Sequence, residues 1–213
     1  MRYDLLIAGV GGQGILSIAT VLGRAILQSG LHLKQSEVHG MAQRGGSVQS
    51  HLRLSDEPVW SDLIPHGQAD MILSMEPMEA LRYLPWLKPE GWIIANQTPV
   101  QNMASYPPVE EVWGAIRKQR RHLLFDAQLL AQENHLPRAV NMALLGAVSP
   151  FLPLPAPVLE EAIAAQFHRK GQPTVDANLA VFRAGRALAE NEDFSDRSQR
   201  KSFRACKTNT PCE

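Results

Sequence analysis

The 213-residue sequence predicts an α/β fold, a Rossmann-like and mostly parallel sheet with helices on both faces. The first indication is the stretch from Asp4 to Gly14, an apolar run that ends in a cluster of glycines. The second is the helical pattern that follows this run at once. The third is the alternation of short apolar runs with helical patterns along the rest of the chain. In such a fold, ligands bind outside the carboxyl ends of the strands.

The first element is a buried strand followed by a glycine turn. Gly9, Gly11 and Gly14 have G-x-G-x-x-G spacing, and Gly12 is a fourth glycine in the turn. Apolar residues then recur at steps of three and four, which predicts a helix that begins at Ile15 and ends before a cap at Gly30, with an apolar stripe of Ile15, Ile18, Ala19, Leu22, Ala25 and Ile26.

This turn has two interpretations. Glycines allow close approach to the backbone, and a helix start offers N–H donors and the positive end of its dipole, so phosphate, pyrophosphate or carboxylate is favoured there. The other interpretation is a tight packing turn without a ligand, because a single G-x-G-x-x-G is a weak signal.

The next part of the chain contains a second glycine-rich segment. Leu31 to Val38 predicts a second strand, and Ser47 to Leu54 predicts a third strand with one face in water. Between them lies a glycine-rich loop with a single cation instead of a crossover helix, containing Glu37, His39, Gln43, Arg44, Gly45 and Gly46. Because this loop also follows a strand end, we expect the two glycine segments to converge.

The remaining elements alternate as the fold class requires. The strands are predicted at 70–75, 92–95 and 123–125, with a turn at Pro89 to Gly91. The helices are predicted from Pro77 through Leu87, and at 109–122, 127–134, 138–148, 157–168 and 175–190. Asp126 is the expected cap of the helix at 127–134, and Thr174 that of the helix at 175–190. Arg117, Lys118, Arg120 and Arg121 form a basic run that is either a solvated helix face or a docking patch.

The composition of the chain argues against several classes of function. The formal net charge is zero, which argues against binding of nucleic acid. The uncharged stretch from Ala139 to Leu159 contains four prolines, so we expect a buried helix and a turn there rather than a membrane span. Cys206 and Cys212 are the two cysteines and form no C-x-x-C pair, so the chain is expected to hold neither an iron–sulfur cluster nor a structural zinc by itself, and a reducing, cytoplasmic setting fits.

The motifs that would carry chemistry within this chain are missing. The sequence contains no Walker lysine, no H-E-x-x-H and no G-D-G segment for magnesium and thiamine diphosphate. Glu37 and His39 are acid–base candidates, although ordinary loop chemistry is the favoured explanation for both. We therefore assign no catalytic residue and no metal ligand, and expect a domain that completes a site on another protein.

The two glycine segments together are more specific than either alone. The residues G-V-G-G-Q-G at 9–14 and S-E-V-H-G-M-A-Q-R-G-G-S-V at 36–48 resemble the gamma domain of the 2-oxoacid:ferredoxin oxidoreductase family. The resemblance covers residues 1–190. It does not include the polar segment 191–213, which is expected to be a mobile tail.

The resemblance implies an accessory subunit of an enzyme that oxidatively decarboxylates a 2-oxoacid, commonly an aryl pyruvate such as indolepyruvate, to acyl-CoA and CO2 while reducing ferredoxin. Thiamine diphosphate, magnesium and iron–sulfur clusters are then expected in a large partner subunit, with coenzyme A at the shared cleft. On this view the anion-binding residues of this chain are Gly11, Gly12, Gln13, Gly14, Arg44, Gly45 and Gly46, and the residues facing the cleft are Glu37, His39 and Gln43.

Three alternatives remain open from the sequence. Both glycine segments can simply form the subunit interface. The chain can also be a free-standing NAD-dependent dehydrogenase in which Glu37 holds the ribose hydroxyls. The third is a non-enzymatic nucleotide-binding regulator, which no effector-binding module in the sequence supports.

Overall fold

The computed structural model describes residues 1–39, 45–101 and 105–192. Their strands form one six-stranded sheet in the order β2-β3-β1-β4-β5-β6. The strands are β1 (Arg2–Val10), β2 (His32–His39), β3 (Ser47–Ser55), β4 (Ala69–Ser74), β5 (Leu87–Asn96) and β6 (His122–Phe125). Because β3 alone is antiparallel to its neighbours, the other five strands end at the same edge, which we call the carboxyl edge. The predicted fold class is confirmed.

Helices cover both faces of the sheet. They are α1 (Ile15–Gln28), α2 (Pro77–Arg82), α3 (Val109–Arg117), α4 (Ala127–Glu133), α5 (Val140–Val148), α6 (Ala156–Phe167) and α7 (Gln172–Asn191). The main core lies between one face and α1, α4, α5, α6 and α7, while α2 and α3 pack on the other face. Strand β1 shows the division: Leu5 and Ile7 belong to the main core, and Leu6 and Ala8 to the opposite one.

The uncharged stretch forms a buried helix and a turn, as expected: α5 is followed by a short 3-10 turn at Ser149–Phe151. None of the helices among the described residues combines the length and the apolar character that a membrane crossing demands.

Prolines and a bulge shift several element boundaries. The helix predicted through Leu87 ends at Arg82, because Pro85 lacks an N–H and a 3-10 turn at Leu84–Trp86 replaces it. The turn predicted at Pro89 to Gly91 is wrong, since these residues lie within β5. The register of β5 against β4 shifts there, and a bulge accommodates a proline in a strand.

Two helix ends also differ from the sequence prediction. The helix predicted through His122 ends at Arg117, and His122 already belongs to β6. Thr174 is not the cap of α7, because that helix begins at Gln172 after Gly171, and the Thr174 hydroxyl donates back to the carbonyl of Lys170. The cap at Asp126 is confirmed, since its carboxylate accepts the N–H of Leu129.

The alternation predicted for β3 is present, but its polar face is not in water. Arg53 is buried, pairs with Asp4 at 2.9 Å and donates to the carbonyls of Ser61 and Leu63 at 2.9 and 2.7 Å. The neighbouring buried His51 accepts the N–H of Ile64 at its Nδ1 atom. The connection between β3 and β4 therefore covers this face, and its backbone supplies the partners that water would otherwise supply.

Candidate functional site

The glycine turn connects β1 to α1 at the carboxyl edge, and each glycine in it meets a different constraint. A Cβ atom on Gly9 would lie 2.8 Å from Gln13 Oε1 and 2.9 Å from the Cβ of Met75. Gly12 and Gly14 have φ angles of 102° and 89°, a region that favours glycine. Gly14 is the cap of α1. The turn thus brings the backbone close to its neighbours and directs it into the helix.

The side chain of Gln13 is used within the protein. Its Oε1 accepts the N–H of Val10 at 2.7 Å, and its Nε2 donates to the carbonyl of Met75 at 3.2 Å. The side chain therefore bridges the ends of β1 and β4, which is the crevice where a doubly wound sheet reverses its direction of winding. The amide of Gln13 thus has two partners in the turn and one further N–H on Nε2, and its role toward an anion stays a prediction.

The two glycine segments converge, as the sequence analysis predicted. The N–H of Gly11 donates to the carbonyl of Gly46 at 2.9 Å, and Val10 pairs with Ser47 across the β1–β3 ladder. Gly45, next to it, has a φ angle of 75° and is exposed. Gln43 and Arg44 lie outside the described residues, as does the side chain of His39.

Backbone donors remain at the turn after these contacts are counted. The N–H of Gly11 is committed to Gly46, and that of Gln13 donates to the carbonyl of Val10 at 3.2 Å. Over residues 1–39, 45–101 and 105–192, the N–H groups of Gly12 and Gly14 have no protein acceptor. Of the backbone N–H groups of Gly11, Gly12, Gln13 and Gly14, those of Gly12 and Gly14 are available to an anion.

Asn141 is a site residue that the sequence analysis did not assign. It lies in the first turn of α5, and its Nδ2 atom would be 2.8 Å from a Cβ atom on Gly14. Its Oδ1 accepts the N–H of Met142 at 3.0 Å, which fixes the amide with its nitrogen toward the glycine turn. The start of α5 therefore meets the start of α1, and both helix dipoles favour negative charge at this point. The signal in the sequence for this residue was that Asn141 is the one asparagine in the uncharged stretch from Ala139 to Leu159.

A chain of amides continues along the carboxyl edge. The carbonyl of Met75 accepts from Asn96 as well as from Gln13, and Asn96 Oδ1 accepts the N–H of Ala127 at 3.1 Å. Beside it, the buried Glu76 carboxylate accepts the hydroxyl of Tyr106 at 2.5 Å. Burial raises the pKa of the Glu76 carboxyl, while its hydrogen bonds oppose that rise. These contacts hold the ends of β1, β4 and β5 in fixed positions around the turn.

The structure does not support a dinucleotide site. In the dinucleotide fold the second strand lies beside the first, but here β3 lies between β1 and β2. Glu37 pairs with Ser50 on β3, so it is two strands away from the glycine turn, about 10 Å at the usual strand spacing. Since Gln13 also occupies the crevice between β1 and β4, the ribose-binding role considered for Glu37 is wrong.

The basic run lies at the opposite edge of the sheet, where β6 begins. Arg120 and Arg121 both pair with the Glu90 carboxylate, and the guanidinium of Arg117 lies over the ring of Trp113. These local contacts place the run away from the glycine turn. In the described part of the chain, no group of three or more His, Cys, Asp or Glu side chains is arranged to hold a metal ion.

Comparison with known families shows which family the chain belongs to. The model of the family "Pyruvate ferredoxin/flavodoxin oxidoreductase" matches residues 4–188. The chain belongs to this family. The resemblance found in the glycine segments is therefore confirmed.

Curated relatives agree with this family assignment. The indolepyruvate oxidoreductase subunit IorB of Pyrococcus horikoshii is 39% identical over 194 residues, which cover 86% of this chain and 94% of that protein. The 2-oxoglutarate synthase subunit KorC of Methanothermobacter marburgensis is 28% identical over 192 residues, with coverage of 88% and 97%. The relatives are thus subunits of oxidoreductases acting on 2-oxoacids, and each is matched over nearly its whole length.

Solved structures share the fold. The 2-oxoglutarate:ferredoxin oxidoreductase of Magnetococcus marinus, solved with 2-oxoglutarate, coenzyme A and succinyl-CoA, matches 92% of this chain with a TM-score of 0.72 and 21% identity. This chain corresponds to 32% of the length of that protein. The gamma subunit of a keto/oxoacid ferredoxin oxidoreductase from Geobacter sulfurreducens PCA matches 89% of this chain and 99% of its own length, with a TM-score of 0.67 and 21% identity.

Proposed function

We propose that this chain is the accessory subunit of a thiamine-diphosphate-dependent 2-oxoacid:ferredoxin oxidoreductase. Family membership and the indolepyruvate oxidoreductase subunits among its relatives support this function. We further propose indolepyruvate or a similar aryl pyruvate as the substrate, since the relatives named for indolepyruvate are 34–39% identical, and those named for 2-oxoglutarate 25–28%. The products are acyl-CoA, CO2 and reduced ferredoxin.

The large partner subunit holds thiamine diphosphate, magnesium and the iron–sulfur clusters. The full sequence of this chain has two cysteines, no C-x-x-C pair and no G-D-G segment, so it lacks the usual ligands of these groups. Thiamine diphosphate supplies the carbanion chemistry of decarboxylation when it is bound. The two-cysteine composition also fits a cytoplasmic enzyme.

The part played by this chain is to hold an anionic group of coenzyme A at the carboxyl edge. The observation that carries this assignment is a set of donors in one place: the N–H groups of Gly12 and Gly14, which have no acceptor among the described residues, and the amide nitrogen of Asn141 beside Gly14, where two helices begin. All three groups donate hydrogen bonds, which suits a phosphate. Arg44 adds the positive charge by pairing with a phosphate through its guanidinium.

The test uses the complex of the full chain with its large subunit. Asn141→Ala should raise the KM for coenzyme A about tenfold, as expected for one lost hydrogen bond to a charged group, with smaller effects on the KM for the 2-oxoacid. Asn134→Ala is the matched control, because Asn134 is equally half-buried and donates to the carbonyl of Leu130 near the far end of α4.

The same experiment distinguishes the alternative in which the glycine segments only form the subunit interface. In that case Asn141→Ala weakens assembly, measured by co-purification and sedimentation, and leaves the KM for coenzyme A of the assembled complex unchanged. Comparing kcat/KM for indolepyruvate and 2-oxoglutarate in the same complex tests the substrate.

A further inference from the structure

A buried group of polar side chains lies beneath the second glycine segment. Ser47 directly follows Gly46, and its Oγ lies 2.5 Å from Glu79 Oε2 and 2.9 Å from the hydroxyl of Tyr83. The short contact to a carboxylate fixes the direction of both hydrogen bonds, since the carboxylate only accepts. The Ser47 hydroxyl therefore donates to Glu79, and Tyr83 donates to Ser47.

Glu79 is well placed to hold this segment. It is 3% exposed, and Arg82 Nε lies 3.1 Å from each of its carboxylate oxygens. Its own N–H donates to the carboxylate of Glu76, which caps α2. The carboxylate is thus anchored to α2 and has a cationic partner, so its remaining acceptor capacity is directed at Ser47.

The connection from Glu79 to the candidate site is short. Glu79 binds Ser47, the carbonyl of the preceding Gly46 accepts the N–H of Gly11, and Gly11 begins the turn that presents Gly12 and Gly14. Three elements meet in this path: α2, the start of β3 and the β1–α1 turn. A shift of Ser47 moves Gly46 and with it the contact between Gly46 and Gly11.

We propose that Glu79 is a positioning residue for coenzyme A, acting through Ser47 to set where the second glycine segment meets the first. This inference rests on the proposed function of the carboxyl edge. Glu79 touches no ligand in this account. It fixes the geometry of the groups that do, and Tyr83 orients the serine hydroxyl toward it.

The test measures KM for coenzyme A and kcat in the assembled complex for Ser47→Ala, Glu79→Gln and the double variant. Each single variant should raise the KM for coenzyme A about tenfold and lower kcat less than threefold. The double variant should be no worse than Ser47→Ala, because Glu79→Gln removes the carboxylate charge and weakens the same hydrogen bond that Ser47→Ala deletes. Ser47→Thr, which keeps the hydroxyl, should restore most of the affinity.

Ser149→Ala controls for stability alone. Ser149 is buried, donates to the carbonyl of Gly146 and lies at the far end of α5. It should lower the unfolding temperature without changing the KM for coenzyme A. The proposal is overturned if Ser47→Ala behaves like Ser149→Ala, or if the effects of Ser47→Ala and Glu79→Gln on KM multiply in the double variant.

Failure of this inference is separable from failure of the proposed function. If Asn141→Ala raises the KM for coenzyme A and Ser47→Ala does not, only the positioning role of Glu79 is overturned. If neither variant changes it, coenzyme A does not bind at this edge and both are overturned.

Discussion

Gly14 carries two constraints that any side chain would violate. Its φ angle is 89°, and a Cβ atom there would lie 2.8 Å from Asn141 Nδ2. Left-handed backbone alone costs a residue with a side chain about 1–2 kcal/mol. We predict that Gly14→Ala lowers the free energy of unfolding by about 2–4 kcal/mol, because displacement of Asn141 adds to this strain. Urea titration of the full chain measures the loss.

The control is Gly30→Ala. Gly30 has a similar φ angle of 71°, but among the described residues no atom beyond its chain neighbours lies within 4 Å of a Cβ atom placed on it. It should therefore lose only the strain, about 1 kcal/mol. Equal losses at the two positions would show that the contact between Gly14 and Asn141 contributes nothing to stability.

His51 makes stability depend on pH. Burial lowers the pKa of its imidazole below the ordinary value of 6.5, and Asp62 opposes this more weakly. As pH falls below 6.5, the unfolded chain takes up a proton there that the folded chain does not, so stability decreases until the lowered pKa is reached. We predict that His51→Asn, which keeps an acceptor for the Ile64 N–H, flattens the dependence of unfolding free energy on pH between 7.5 and 5.5 by about 1 kcal/mol. An unchanged slope contradicts this prediction.

Single residues show where the sequence is informative. Glycine spacing predicts the turn, since only glycine satisfies close approach and positive φ together. It does not reveal that the Gln13 amide forms hydrogen bonds with Val10 and Met75. Nor does it reveal that Asn141, more than 120 residues away along the chain, contacts the turn. Such contacts depend on how α5 packs beside α1, which no local pattern encodes.

At the scale of elements, α5 and α7 cross at a pair of glycines. A Cβ atom on Gly146 would lie 2.0 Å from the carbonyl oxygen of Phe182, and one on Gly185 would lie 2.0 Å from that of Ala143. Each glycine thus receives the backbone of the other helix. We predict that Gly146→Ala or Gly185→Ala lowers the free energy of unfolding by about 3 kcal/mol or more, since the two helices must separate.

Gly114→Ala is the matched comparison. Gly114 lies in α3, and within the described part of the chain no atom outside its own helix backbone is within 4 Å of a Cβ atom placed on it, so alanine should stabilise the helix by up to about 1 kcal/mol. The thermal unfolding temperature should therefore fall for Gly146→Ala and for Gly185→Ala, and rise for Gly114→Ala. A destabilised Gly114→Ala, or an unaffected Gly146→Ala, contradicts this account of the crossing.

Strand β3 shows why the predicted order of strands and helices does not determine which face of a strand is buried. Its alternating pattern correctly predicted a strand, but a polar face can be solvated or can be covered by chain that supplies its own partners. Here Arg53 and His51 bind the backbone of residues 61–64, and the face is buried. The same strand lies between β1 and β2, which removed the dinucleotide interpretation.

At the scale of the whole molecule, exposed apolar side chains lie toward the two ends of the sheet. Leu16 and Leu129 lie in the first turns of the helices that follow β1 and β6, and Val38 lies near the end of β2, so all three are at the carboxyl edge. Leu27 is near the last residue of α1, at the opposite end. If the large subunit covers the carboxyl edge, the first group becomes buried on assembly and Leu27 does not.

Leu16 and Leu27 offer a matched pair on one helix. Both lie on α1 and are 57% and 63% exposed, so replacement by glutamate costs the isolated fold little in either case. We predict that Leu16→Glu weakens binding to the large subunit at least tenfold, because a charge buried by the partner must lose its water without gaining a partner. Leu27→Glu should bind like the native chain, and Leu129→Glu like Leu16→Glu. Calorimetric titration of each variant with the large subunit measures the dissociation constants. If Leu27→Glu binds more weakly than Leu16→Glu, the partner lies at the opposite end of the sheet, away from the glycine turn.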